Sequence, residues 1–148
     1  MLTVKLEGAK EMEALLFQLK TATAKSLTRR TMFKALEPVK VFAKHKAPER
    51  SGELSDKIEI STKAKPRASK KSPVEIYVGP DRSARQAIPQ EFGTIHHGAS
   101  PYLRPAWDAK KFEVLVNFQE GLWDQLYRAI ERQERKIARD AAKLKAGG

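Results

Sequence analysis

The sequence predicts an α+β fold: an N-terminal strand and long helix, a small antiparallel β-sheet with an extended basic hairpin loop, and a long C-terminal helix. Three observations predict it. Apolar residues recur at three- and four-residue spacings over residues 9–46 and again over 106–145. Two short runs between those blocks, "KIEIS" at 57–61 and "VEIYVG" at 74–79, alternate apolar and polar positions and are rich in β-branched residues. A Gly- and Pro-bearing stretch, "EFGTIHHGASPYLRPAWD" at 91–108, then separates the sheet from the last helix.

The first element is read from "LTVKL". Leu2, Val4 and Leu6 alternate with Thr3 and Lys5, the period of a half-buried strand, and Gly8 ends it. Met12, Leu15, Leu16, Leu19, Leu27, Phe33 and Leu36 then mark one face of a helix. Pro38 has no amide hydrogen and clashes with a preceding helical turn, so a kink or break is expected near Leu36–Glu37. Lys40, Lys44 and Lys46 follow, where cations complement the negative end of a helix.

Pro48 and Gly52 in "APERSGEL" stop this helix. Between the two alternating runs lies "TKAKPRASKKS" (62–72), which holds five cations, no acid and no large apolar residue. It has nothing to place in a core and reads as an exposed, flexible loop. "RQAIPQEFG" (85–93) reads as a third strand, which Pro89 confines to an edge or a bulge.

In the last block Trp123, Ile130, Ile137 and Leu144 recur at seven-residue intervals, joined by Phe112, Leu115, Leu122 and Leu126. Gln133 and Asp140 interrupt the stripe, which therefore narrows as if the helix leaves its own core. Ile130, Ile137 and Leu144 become candidate interface residues, and 138–148 a frayed or interface tail.

A chain of 148 residues suits one domain over 1–148 that buries roughly 70% of its unfolded surface. The absence of cysteine excludes disulfides, a cysteine nucleophile and thiolate metal sites. No stretch has the length of a signal-peptide core or a membrane span, so neither export by a standard signal nor a membrane partner is expected. The formal net charge of +11 favours polyanions or acidic protein surfaces.

The stretch 91–108 is weighed as a site. His96 and His97 are adjacent, neighbours point in different directions, and His45 is remote, so a shared metal ion is not expected. Glu91 and Asp108 are the acid/base candidates, but no nucleophile elbow or phosphate-cradling loop accompanies them. Asp108 reads as a first-turn carboxylate and Pro105 as the first helical residue. Gly93 suits a chain reversal after Phe92, with Thr94 bonding locally. Pro101 and Pro105 hold the connection extended, while Tyr102, Leu103 and Trp107 supply groups to pin it on the sheet. Glu91, Phe92, Gly93, Thr94, Pro101, Tyr102, Leu103, Arg104, Pro105, Ala106, Trp107 and Asp108 are thus read as a structural corner. Lys63, Lys65, Arg67, Lys70 and Lys71 are candidate contacts for an acidic partner or DNA, without an aromatic on which bases could stack.

Three stretches in this order resemble the head–tail joining, or tail-completion, family of long-tailed bacteriophages. They are "AKHKAPERSGELSDKI" closing the first long helix, "EFGT" at 91–94, and "SPYLRPAWD" at 100–108 opening the last one. The likeness covers nearly the whole chain. It implies a structural, non-enzymatic virion protein of the tail or neck that is assembled in the host cytoplasm and needs no cofactor. Such a subunit forms a ring, hexameric in the family, at the head-proximal end of the tail. Its partners are copies of itself, the tail tube or terminator and the head connector, with non-specific contact to packaged DNA possible in the lumen. A small basic nucleic-acid-binding protein is the runner-up, and a hydrolase using Glu91, His96 or Asp108 comes third.

Overall fold

A computed structural model describes residues 8–48, 52–62 and 74–147. Among them the fold is α+β, with six helices and a two-stranded antiparallel sheet. The expected N-terminal strand at 2–6 and most of the basic loop, residues 63–73, lie outside the described residues.

The first long helical block is three helices rather than two. Helix α1 spans Ala9–Gln18, α2 Thr21–Ala35 and α3 Glu37–Lys46. The break at Leu36 falls where Pro38 places it: Leu36 ends α2 and caps α3, and Pro38 takes the second position of α3. A first-turn amide has no intrahelical acceptor, so proline costs little there. The second break, at Leu19–Lys20, has no proline or glycine behind it. Leu19 turns to extended geometry and buries its side chain, so packing sets this boundary.

Gly52 adopts φ +66° and turns the chain into the short α4, Glu53–Asp56, which leads into β1, Ile58–Ser61. β1 pairs with β2, Tyr77–Pro80, in the register Ile58↔Pro80 through Ser61↔Tyr77. The second alternating run thus enters the ladder three residues later than its pattern suggests, at Tyr77 rather than Val74.

The expected third strand is a helix. α5 spans Ala87–Phe92, and Pro89 occupies its third position, another first-turn site without an intrahelical acceptor. Finally α6 runs from Leu103 to Ala146, 44 residues and about 66 Å at 1.5 Å per residue.

Two apolar clusters hold these elements together. In one, Ala35, Val39 and Ala43 of α2–α3 pack with Leu54, Ile58, Tyr102, Ala106 and Val114. In the other, Met12, Leu19 and Leu27 meet Leu122, Leu126 and Ala129 of α6. Phe118 packs against both. Leu126 is fully buried, a burial that contributes about 1.5–3 kcal/mol. The helices approach closely where α6 has Gly121, since a β-carbon there would lie 3.0 Å from Thr31 Cγ2. Beyond Ile130 the second cluster ends, and every residue from 131 to 147 is exposed.

Candidate functional site

The corner between α5 and α6 is built around one carboxylate. Helix α6 starts without a side-chain cap of its own, because its N-cap position is Tyr102, which has no acceptor in reach of the first-turn amides. Glu91, at the end of α5, supplies the acceptors from eleven residues upstream. Its Oε2 accepts from the amides of Tyr102 at 2.8 Å and Leu103 at 3.0 Å, and its Oε1 from the amide of Arg104 at 3.1 Å. The next residue is Pro105, which has no amide to satisfy. Three orphan donors are met and the fourth does not exist.

Arg104 closes the arrangement. Its Nε donates to Glu91 Oε1 and its Nη2 to the Glu91 carbonyl, both at 3.1 Å. The guanidinium also lies 5.1 Å from the ring centre of Phe92, a cation–π distance. Glu91 is 4% exposed. Burial pushes its carboxyl upward, but the amides of Leu103, Tyr102 and Arg104 and the Arg104 side chain outweigh that and hold it below the usual range.

The loop between is stitched to the same frame. Gly93 has φ +76° and ψ 176°, and its amide donates to the Pro89 carbonyl at 2.8 Å. A β-carbon on Gly93 would meet the Ala99 amide nitrogen at 2.8 Å and the His97 carbonyl at 3.0 Å. Thr94 and His97 pair across a tight turn, and Thr94 Oγ1 accepts the amide of His96 at 3.2 Å. The Ser100 amide donates to the Gln90 carbonyl at 2.9 Å, bringing the chain back to α5.

Two expected details are corrected. Pro105 is the third helical residue, not the first, because α6 begins at Leu103. Asp108 is consequently the sixth. It lies beyond the first turn, on the surface, paired with Lys111 at 3.4 Å.

The pinning residues divide. Tyr102 is fully buried, whereas Trp107 is about half exposed. The Tyr102 hydroxyl finds no hydrogen-bond partner among the described residues, and burial, with the nearby Glu91 charge, pushes it up to about 12. Ala106 is fully buried and Pro101 exposed.

As chemistry, the corner has little to offer. Both oxygens of Glu91 are engaged by donors and its proton affinity is lowered, the opposite of a general base poised near neutrality. Glu91 is paired with Arg104 and Asp108 with Lys111. His96 and His97 are exposed, and no cluster of three metal-ligating side chains occurs among the described residues.

What the subunit leaves open is surface. An apolar groove of about 690 Å³ runs between α2–α3, the segment leading into β2, and α6, lined by Leu36, Val39, Ile76, Val78, Trp107 and Phe118. Among the candidate interface residues, Ile130 packs on the second cluster, whereas Ile137 is 60% and Leu144 81% exposed. Lys63, Lys65, Arg67, Lys70 and Lys71 lie outside the described residues.

The Glu91 cap was missed in the sequence because the demand and the supply sit eleven residues apart. The only signal was the demand: a helix start at "PYLRP" with no Ser, Thr, Asp or Asn at the cap position. No family model, curated protein or solved structure matches the chain.

Proposed function

We propose that the chain is a structural subunit of a phage tail, forming a ring at the head-proximal end that completes the tail and joins it to the DNA-filled head. What first supports this is the ordered set of three motifs. The described residues add a role for each. The Ala-Pro, Ser-Gly, Leu stretch ends α3 and turns into the sheet at Gly52, with Leu54 in the core. "EFGT" supplies the Glu91 cap and the Gly93 turn, and "SPYLRPAWD" supplies the capped start of α6. The set therefore reads as one structural device for aiming a long helix, with no catalyst or cofactor required.

One observation carries the assembly reading. The last four turns of α6 project past both apolar clusters, with Ile137 and Leu144 exposed on a seven-residue repeat. The same subunit exposes an apolar groove at its other end, near the start of α6. Different patches at the two ends suit head-to-tail contacts, and head-to-tail contacts that close give rings.

The test is head–tail joining with protein truncated after Ile137. The proposal expects the truncated subunit to fold, and the fraction of complete virions to fall. Wild-type yield from the truncated protein would refute the role given to the end of α6.

A further inference from the structure

Helices α2 and α6 pack through Leu27, Thr31 and Gly121, and toward the start of α2 an open cleft of about 760 Å³ lies between them. Its charge is one-sided. Lys20 and Arg30 line one wall, Arg132 and Lys136 the other, against the single carboxylate of Asp140. Helix α2 has four cations and no acidic residue along its whole length.

Within α6 the imbalance is confined to the C-terminal part. From Arg104 to Arg128 each cation of the helix has a carboxylate partner: Glu91, Glu113, Asp108 and Asp124 in turn. Arg135, on another face, pairs with Glu131. The four cations of the cleft have no ion-pair partner among the described residues, although Asp140 stands one turn from Lys136.

The shape of the charge points to an extended polyanion. Arg132 and Lys136 are about 6 Å apart along α6, and Lys20 and Arg30 about 15 Å apart along α2, at 1.5 Å per residue. One strand of a duplex advances about 3.4 Å per phosphate, so the walls span several phosphates rather than one. Thr23, Ser26 and Gln133 add neutral donors of the kind that phosphate oxygens accept. No aromatic residue lines the cleft, so it has no platform for unstacked bases.

From this we propose that the α2–α6 cleft binds double-stranded nucleic acid through its phosphodiester backbone, without reading sequence. The site belongs to the single subunit and does not depend on ring formation.

The test is fluorescence anisotropy of a labelled mixed-sequence duplex of about 20 base pairs, titrated over a range of salt concentrations. The variant Lys20→Gln, Arg30→Gln, Arg132→Gln, Lys136→Gln is compared with a charge-matched control, Lys10→Gln, Arg82→Gln, Arg85→Gln, Lys145→Gln, whose positions are also exposed. The proposal expects the cleft variant to bind more weakly and its log–log salt slope to shrink by about 3.6, which is 0.9 for each of four lost phosphate contacts. The control should retain a slope within about 1 of wild type.

Equal losses in both variants would overturn the site and leave only net charge. An unchanged slope in the cleft variant would also overturn it. So would tighter binding of a single strand than of the duplex, or of a poly-glutamate peptide at equal charge. If the fourfold variant does not fold, Arg30→Gln and Lys136→Gln, made singly, should each remove about one unit of slope, and no change in either would count against the site.

Discussion

Arg104 and Glu91 grip each other twice, with the guanidinium donating to both the carboxylate and the backbone carbonyl of Glu91 at 3.1 Å. Twelve residues lie between them, and those residues make the turn from α5 to α6. The same carboxylate accepts the first three amides of α6, so one buried side chain fixes where a 44-residue helix begins and how it leaves the corner.

Glu91→Gln should therefore destabilise the fold by about 2–4 kcal/mol, through the lost charge and a side-chain amide turned toward backbone donors. The pH dependence has a defined sign. The folded carboxyl lies below its ordinary value of 4.5, so its contribution is complete above that pH and fades as pH falls through the lower folded value. Denaturant unfolding of both proteins at about pH 7 and about pH 3 should show the gap narrowing in acid. A gap that widens in acid would contradict the cap.

Gly93 sits at φ +76°, and an added β-carbon would press on backbone at 2.8 Å. Gly93→Val should cost about 1–3 kcal/mol. Thermal melting reads this directly, and an unchanged midpoint would remove the assignment of a strained turn.

The Tyr102 hydroxyl is buried without a partner among the described residues. Removing it leaves no donor stranded, so Tyr102→Phe should be neutral or stabilising by up to about 1 kcal/mol. A loss of more than about 2 kcal/mol would mean that the hydroxyl makes a bond the fold depends on.

Truncation after Ile137 should leave the melting midpoint close to wild type, because every residue from 131 to 147 is exposed. A drop of many degrees would show that the last turns of α6 support the subunit itself.

The proline positions show how much of this was legible. Pro38, Pro89 and Pro105 all sit in first helical turns, at the second or third position. Pro38 was readable because a long helical pattern surrounds it. Pro89 was not: "RQAIPQEFG" is too short for a helical period to show, and a proline in a short apolar run reads equally as an edge strand. The break at Leu19 left only a faint trace, the weak helix formers Thr21 and Thr23, since burial of Leu19 decides it. The packed face of α6 takes Val114 and Ala129, which the seven-residue repeat does not mark, and leaves Phe112 about half exposed, but the burial of Leu122 and Leu126 and the narrowing past Ile130 were legible. The Glu91 cap was not, since sequence patterns for capping reach three residues and this one reaches eleven.

Ring assembly on phage tails, as proposed above, would be read in the mass of the purified protein, alone and mixed with isolated tails lacking it. We expect a closed oligomer, in solution or on the tail, that is lost when Ile137 and Leu144 are both replaced by Asp. A protein that stays monomeric at all concentrations and leaves those tails bare would contradict it.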